Sequence, residues 1–433
     1  MQTASRRIFA SSSSSSTTST LLHTTTAVRR LSNIRMSSST AAPSGLREVF
    51  IVGASRTPVG SFQGVLAKVP ATQLGVAAVK GVLAASNVKP DQVEDLYFGQ
   101  VLQGGAGQSP ARQVVIGAGL PESTEATTIN KVCASGMKAV MLASQNIQTG
   151  QRDVMIAGGM ESMSSAPFYI PRTPATFGHY QAQDAVVKDG LTDVYGDYPM
   201  GICAEETAKK HQITREDQDN FCLESYRKAA EAWKAGAFKD EIAPVTIPNA
   251  RTGDVVISED EEYKKVKTDK VPSLKPVFKK DGTITAANAS TLNDGASALL
   301  LASQDKVNEL GLKPLAKVIS FADAACAPID FPVAPAQAIP LALKRAGISM
   351  DQVAKFEVNE AFSAVAIANQ KILNIPTEKL NVNGGAVALG HALGSSGSRI
   401  IVTLVHLLKS GEYGVAGVCN GGGGASAIVI QRL

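Results

Sequence analysis

The 433-residue sequence is short of several things, and each shortage removes a class of protein. Five cysteines, an odd number without paired close spacing, argue against a disulfide framework and against a zinc site, and favour a reducing compartment. One Trp, eight Tyr and 13 Phe leave little material for aromatic cages. The formal net charge of +4 is too mild to argue for nucleic acid, and no apolar run approaches the length that spans a bilayer. Acidic residues are missing altogether before Glu48, where Arg6, Arg7, Arg29, Arg30 and Arg35 stand among Ser/Thr runs. An Arg- and Ser-rich, acid-poor leader has the composition of a mitochondrial transit peptide. Residues 1–44 are therefore set apart from the fold, with the mitochondrial matrix as the expected address.

What is present is a globular composition, 44% hydrophobic and 18% charged, with 38 Gly for tight turns and close backbone packing. Val49-Phe50-Ile51-Val52-Gly53 reads as a strand, Ala71 to Ser86 as a helix, and Leu96-Tyr97-Phe98-Gly99 as a second strand after Asp91-Gln92-Val93. The same string, Asp351-Gln352-Val353, recurs about 260 residues later before another apolar run, Phe356-Glu357-Val358. The helix after Cys133 and the helix after His391 are offset similarly. The strand into Gly158-Gly159-Met160-Glu161-Ser162 aligns with the strand into Gly422-Gly423-Gly424-Ala425-Ser426. Repeated offsets in one order mean an internal duplication. The expected fold is α/β, two equivalent halves each with a mixed sheet and helices on its faces, docked through helices. Residues 45–165 with 289–314 form one half and 315–433 the other. Residues 166–288 read as an inserted loop domain, Pro/Gly-rich first, then helical from Thr214 to Ala235, then charged from Glu259 to Lys280.

The chemistry-bearing stretches lie where such halves would meet. Asn130-Lys131-Val132-Cys133-Ala134-Ser135-Gly136-Met137 puts a thiol at the start of a helix, where free N–H groups and the helix dipole stabilise a thiolate. Gly390-His391-Ala392-Leu393-Gly394 brackets an imidazole with glycines, so it can approach a substrate and take a proton from a thiol. Asn359-Glu360-Ala361-Phe362 ends a strand. Cys419-Asn420-Gly421-Gly422-Gly423-Gly424 offers a second thiol followed by bare backbone N–H groups that can face an oxyanion. Singly, each has a plain structural explanation: a core thiol, a satisfied His, a turn. His179, His211 and His406 have no second ligand at metal spacing, and Cys203, Cys222 and Cys326 read as core thiols.

Together, and in this order, these four blocks resemble the active-site blocks of the thiolase family, over nearly the whole chain from Arg47 to Leu433. Ala286-Ala287-Asn288-Ala289-Ser290-Thr291-Leu292-Asn293-Asp294-Gly295 and Phe331-Pro332-Val333-Ala334-Pro335 resemble most the family's acetoacetyl-CoA-forming members. The resemblance implies a layered α-β-α-β-α arrangement and reversible condensation of two acetyl-CoA to acetoacetyl-CoA and free CoA. Cys133 would carry the acetyl group as a thioester, His391 would activate it, and Cys419 would remove the α-proton of the second acetyl-CoA. Asn359, through a water, and His391 would hold the enolate oxygen, and the N–H groups of Cys133 and Gly421 the tetrahedral oxyanion. Family analogy further implies coenzyme A contacts at Tyr226, Lys265, Val266, Lys267, Lys270 and Ser290. It also implies a potassium site at Tyr226, Ala286, Ala287, Ala289 and Val387, and a homotetramer.

The chain departs from the family pattern at Ala392, where a Pro usually follows the catalytic His, and at Pro199-Met200, usually His-Met. At Lys267 relatives carry an Asp. Two other readings use the same residues or fewer: a degradative 3-ketoacyl-CoA thiolase of broad chain length, and a non-catalytic acyl-CoA or lipid carrier. Both cysteines being present counts against the carrier. The direction of flux, toward sterol and ketone synthesis or toward degradation, is set by metabolite levels rather than by residues.

Overall fold

The computed structural model describes residues 45–173, 177–251 and 253–433; the presequence expected over 1–44 lies outside them. The first half runs β1 (Val49–Arg56), α1 (Ala71–Ser86), β2 (Asp95–Gly99), α2 (Pro110–Ala118), β3 (Glu125–Ile129), α3 (Ser135–Gln148) and β4 (Val154–Ser162). After the insert, which carries α4 (Met200–Lys210) and α5 (Arg215–Lys234), strand β5 (Asn293–Ser303) returns to the same sheet. The second half runs β6 (Ala316–Ala325), α6 (Pro335–Ala346), β7 (Val353–Val358), α7 (Ser363–Leu373), α8 (Leu393–Leu407), β8 (Tyr413–Asn420) and β9 (Gly424–Arg432).

Local sequence accounts for the element ends. Helix α1 buries Leu74, Ala78, Val79 and Val82 at helical spacing and stops at Asn87, which takes a left-handed conformation. Helix α5 is opened by a capping box, Thr214 accepting from the Asp217 N–H while Asp217 accepts from the Thr214 N–H. Helix α6 opens with Pro335 and closes at Gly347, left-handed at φ 68°.

The strand order is β7-β8-β9-β6-β1-β5-β4-β2-β3. Read outward from the β1–β6 junction, both halves have the same pattern. β1–β5 and β6–β9 are antiparallel, as are β5–β4 and β9–β8; β4–β2 and β8–β7 are parallel. Even β3, the parallel edge strand of the first half, has a vestige in the second, a parallel bridge between Phe356 and Leu380. The duplication is real, with one correction to its alignment. Gly158–Ser162 lies inside β4, whose counterpart is β8, so Gly422–Ser426 belongs instead to the turn and to β9, the counterpart of β5. The insert separates β4 from β5, whereas a three-glycine turn joins β8 to β9, and this length difference shifts the sequence alignment.

Three apolar layers hold the sheets. One packs α1 and α2 on the outer face of the first sheet, through Leu74, Val79, Val114 and Ile156. Another packs α6 on the outer face of the second, through Ile339, Leu343, Phe356 and Val429. Between the sheets lie α3 and α8, which share a core with Met155, Leu301, Val418 and Ile428. Helix α8 is buried from Leu393 through Val405, as a helix sandwiched between two sheets must be. The insert is pinned by fully buried Arg56, whose Nη atoms reach Asp260 at 2.7 and 2.9 Å and whose Nε reaches Glu241 at 2.5 Å. Removing that guanidinium would strand two buried carboxylates, at a cost of about 3–5 kcal/mol.

Candidate active site

Duplication places α3 and α8 as equivalents, and each is preceded by a reactive side chain: Cys133 before Ser135, His391 before Leu393. The two helix starts touch because glycines stand at the contact. A Cβ on Gly159 would lie 1.9 Å from the Gly394 carbonyl oxygen, and one on Gly136 would lie 2.9 Å from the same oxygen. Cys133 and His391 share a cavity of about 310 Å³, walled also by Gly421, Ala289, Ser290, Met163, Phe278 and Phe331.

The Cys133 turn is tight. Val132, a β-branched residue, is held at φ 49°, in the left-handed region that such side chains avoid at about 1–3 kcal/mol. The Val132 N–H donates to Asn130 Oδ1 at 2.9 Å, and the Lys131 N–H donates to Ser135 Oγ at 2.8 Å. Lys131 Nζ crosses to the second half, donating to Ser426 Oγ at 2.7 Å. The N–H groups of Gly421 and of Cys133 itself point at the sulfur, as the helix-start expectation requires, yet the outcome differs from that expectation. Burial dominates and pushes the Cys133 thiol up to about 12, with a small further push from Glu161. Cys133 also sits two residues before α3 rather than in its first turn.

The His391 main-chain N–H donates to Asn293 Oδ1 at 2.8 Å. Its Nδ1 meets Ser396 Oγ at 2.6 Å, and that hydroxyl donates to the Ala392 carbonyl at 3.0 Å. A hydroxyl has one proton. Ser396 therefore accepts from Nδ1–H, and the lone pair of His391 is on Nε2, a buried atom with no protein partner. Burial, helped by Arg399, drives the imidazole down to about 3. The site at rest is a neutral thiol beside a neutral imidazole. Ala392 keeps φ at −71°, within the range a proline ring would impose.

Cys419 is the penultimate residue of β8, almost fully buried among Met200, Phe331, Ala361 and Phe362. Burial raises its thiol well above the usual range, and a charge on Cys133 would raise it further; the same four neighbours line the cavity that holds Cys133. The turn after Cys419 needs left-handed backbone at Gly422 (φ 84°) and Gly423 (φ 91°), and it turns the Gly421 N–H toward Cys133. Asn359, just past β7, is buried with neither its Oδ1 nor its Nδ2 bonded to protein.

The remaining expected residues divide. Ala289 and Ser290 line the cavity, Ser290 Oγ donating to the Ala361 carbonyl at 2.9 Å. Tyr226, Val266, Ala287 and Val387 share an apolar cluster, where burial, helped by the charges of Glu262 and Glu360, raises the Tyr226 hydroxyl. Ala286 is exposed, as are Lys265, Lys267 and Lys270. The charged loop is not the free basic cluster the sequence suggests. Lys264 pairs with Glu259, Lys265 with Glu261 and Lys270 with Asp269, whereas no ion pair among the described residues engages Lys267. Cys203 and Cys222 are core thiols, but Cys326 is only half-buried, against Gly423. Ser396, Asn293, Met163 and Phe278 were not singled out by sequence reasoning. A Ser five residues after a glycine-bracketed His was the one available signal among them.

Two family models match the chain: "Thiolase, N-terminal domain" over residues 49–305 and "Thiolase, C-terminal domain" over 312–432. The zebrafish (Danio rerio) mitochondrial acetyl-CoA acetyltransferase is 55% identical over 406 residues, covering 94% of this chain and 97% of the relative. The crystal structure of a thiolase from Ascaris suum in complex with coenzyme A superposes with a TM-score of 0.86 at 50% identity, covering 89% of this chain and all of that one. Human mitochondrial 3-ketoacyl-CoA thiolase also superposes with a TM-score of 0.86, at 38% identity over 89% of this chain and 99% of that one. Among the described residues no helix is long and apolar enough to cross a membrane.

Proposed function

The chain belongs to the thiolase family, and from that premise we propose that it is an acyltransferase joining two acetyl-CoA molecules reversibly into acetoacetyl-CoA and free CoA. The observation that carries this reading is the convergence of Cys133, His391 and the Gly421 N–H on one cavity with Cys419 beside it. In the first step Cys133 attacks the acetyl carbonyl and its proton passes to His391 Nε2. The C–S bond to CoA breaks, and the departing thiolate takes the proton of Cys419. Acetyl-Cys133, an imidazolium and a Cys419 thiolate remain. In the second step Cys419 removes the α-proton of the next acetyl-CoA, and the enolate carbon attacks acetyl-Cys133. The Cys133–acyl bond breaks, and His391 returns a proton to the Cys133 sulfur. Atoms and charges close.

A neutral pair at rest suits this sequence, because proton transfer then accompanies attack rather than preceding it. The oxyanion is held by the N–H groups of Cys133 and Gly421, and the enolate oxygen by His391 and by a water on Asn359. Coenzyme A would contact Ser290, Val266 and Tyr226, with Lys267 free to meet a phosphate and Lys265 and Lys270 able to exchange their carboxylates for one. Residues 166–288 thus act as the coenzyme A-binding loop domain between the two thiolase halves. A potassium ion would be held by carbonyls of Ala286, Ala287, Ala289 and Val387 with the Tyr226 hydroxyl, since hard monovalent ions prefer oxygen. When bound it would brace that loop.

Exposed Phe168, Ile170, Phe177, Val194 and Tyr195 supply apolar surface for a homotetramer. The mitochondrial names of relatives support a mitochondrial location, with residues 1–44 as the leader. Thiolysis of acetoacetyl-CoA, 2-methylacetoacetyl-CoA and a long 3-ketoacyl-CoA tests the proposal. Preference for the short substrates is expected, and preference for the long one would replace it with the degradative reading.

A further inference from the structure

One buried group that the mechanism does not use is Glu161, a carboxylate inside the otherwise apolar strand β4. Among the described residues it has no Lys or Arg partner. Its Oε2 accepts from the Val101 N–H at 3.0 Å and from the Gly394 N–H at 2.9 Å, and its Oε1 accepts from the Leu102 N–H at 3.1 Å. From those bonds two paths lead to the reacting atoms. Along the first, the Val101 carbonyl accepts from Asn130 Nδ2 at 3.4 Å, and Asn130 Oδ1 accepts from the Val132 N–H, which adjoins Cys133. Along the second, Gly394 is in the first turn of α8, three residues past His391. Its N–H is one of the groups that a helix start leaves without an internal partner.

We propose that Glu161 is a positioning residue that sets the placement of Cys133 relative to His391, by holding the turn that carries each. The inference rests on the reading of those two residues as the reacting pair. A carboxylate suits the task because it is an acceptor on both oxygens. With an amide of the same shape the NH₂ must face either the Leu102 N–H or both the Val101 and Gly394 N–H groups, so the clamp is weakened while the volume is kept. Negative charge at the touching starts of α3 and α8 is also favoured by both helix dipoles. The nearby glycines leave the backbone no side-chain packing of its own there, which concentrates the task on this carboxylate.

The test uses the full chain. The rate of Cys133 acetylation by acetyl-CoA in a single turnover, the KM for acetoacetyl-CoA and Tm are measured for the parent, Glu161→Gln, Asn130→Ala and the double variant. Glu161→Gln is expected to lower the acetylation rate about tenfold or more, because small misplacements of reacting atoms are costly. KM should stay within about twofold of the parent value. The double variant should be no slower than the product of the single effects and clearly faster than independent action allows, since both substitutions cut one path. An acetylation rate for Glu161→Gln within about twofold of the parent, or fully independent effects in the double variant, would overturn the proposal. Should Glu161→Gln fail to fold, Asn130→Ala decides, because Asn130 is exposed and its loss leaves the core intact. Slower acetylation with unchanged KM supports the proposal and an unchanged rate overturns it. A parent chain that takes no acetyl group on Cys133 would signal failure of the reaction proposal instead.

Discussion

Replacing Ser396 by Ala removes a single hydroxyl from α8, at a position where Ala is the better helix former, so the fold has no reason to weaken there. The hydroxyl is the acceptor for His391 Nδ1–H at 2.6 Å. Without it, that N–H is buried and unpaired, a penalty of about 1–3 kcal/mol. With neither ring nitrogen then paired to protein, the preference for the proton on Nδ1 is lost and the tautomer with the proton on Nε2, the nitrogen proposed to receive the Cys133 proton, becomes populated. Restoring the productive tautomer then costs the same amount in the transition state, which corresponds to roughly a 5- to 150-fold loss of kcat. The assay is steady-state thiolysis of acetoacetyl-CoA alongside single-turnover acetylation. Both rates should fall together while KM and Tm hold, and Ser396→Thr should recover most of the loss. A Ser396→Ala enzyme within about twofold of the parent kcat would refute the assignment of Nε2 as the proton acceptor.

Three further outcomes follow from the same geometry. Cys419→Ser should still form acetyl-Cys133 at least once, yet lose condensation by about 100-fold or more, because a hydroxyl near neutral pH is far too weak a base; retained condensation would remove Cys419 from its role. Ala392→Pro should keep activity and add about 0.4–1 kcal/mol of stability, since φ is already −71°; a lower Tm by calorimetry would contradict it. Burial lifts the Glu357 carboxyl to about 8, 3.8 Å from Arg399. Between the unfolded value near 4.5 and that folded value the native state holds a proton the unfolded chain has lost, so this group's contribution to stability declines as pH rises through the window. The Tm of Glu357→Gln relative to the parent should therefore improve with pH across that interval and level off above it. A difference independent of pH would show that Glu357 is ionised throughout.

Much of this architecture was legible in the residues, and the reasons are local. Helix α5 was legible from Thr214 to Ala235, and α1 through its apolar spacing. The paired Asp-Gln-Val strings do mark equivalent points, since Pro90–Gln92 and Met350–Gln352 are matching 3-10 turns ahead of β2 and β7. The alignment slipped at Gly422 because glycine runs look alike whether they lie within a strand, as Gly158-Gly159 do, or in a turn. Burial was the other thing out of reach. The position of Cys133 near a helix start suggests a lowered thiol, but the two N–H groups at the sulfur are outweighed by desolvation that only the closed layers of α3 and α8 create. Likewise the Lys264–Lys270 stretch reads as basic until its side chains are seen lying on Glu259, Glu261 and Asp269. Glu161 was visible as a charge in an apolar strand, but its partners at 101, 102 and 394 come from distant segments.

In the proposed division of labour between the two sulfurs, Cys133 alone would accept the acyl group. The direct measurement is to quench the full-length protein after brief exposure to radiolabelled acetyl-CoA and map the label by peptide. The label should be on the peptide containing Cys133, with about one acetyl group per chain. Label on Cys419 or Cys326, or an unlabelled protein that still turns over, would contradict it.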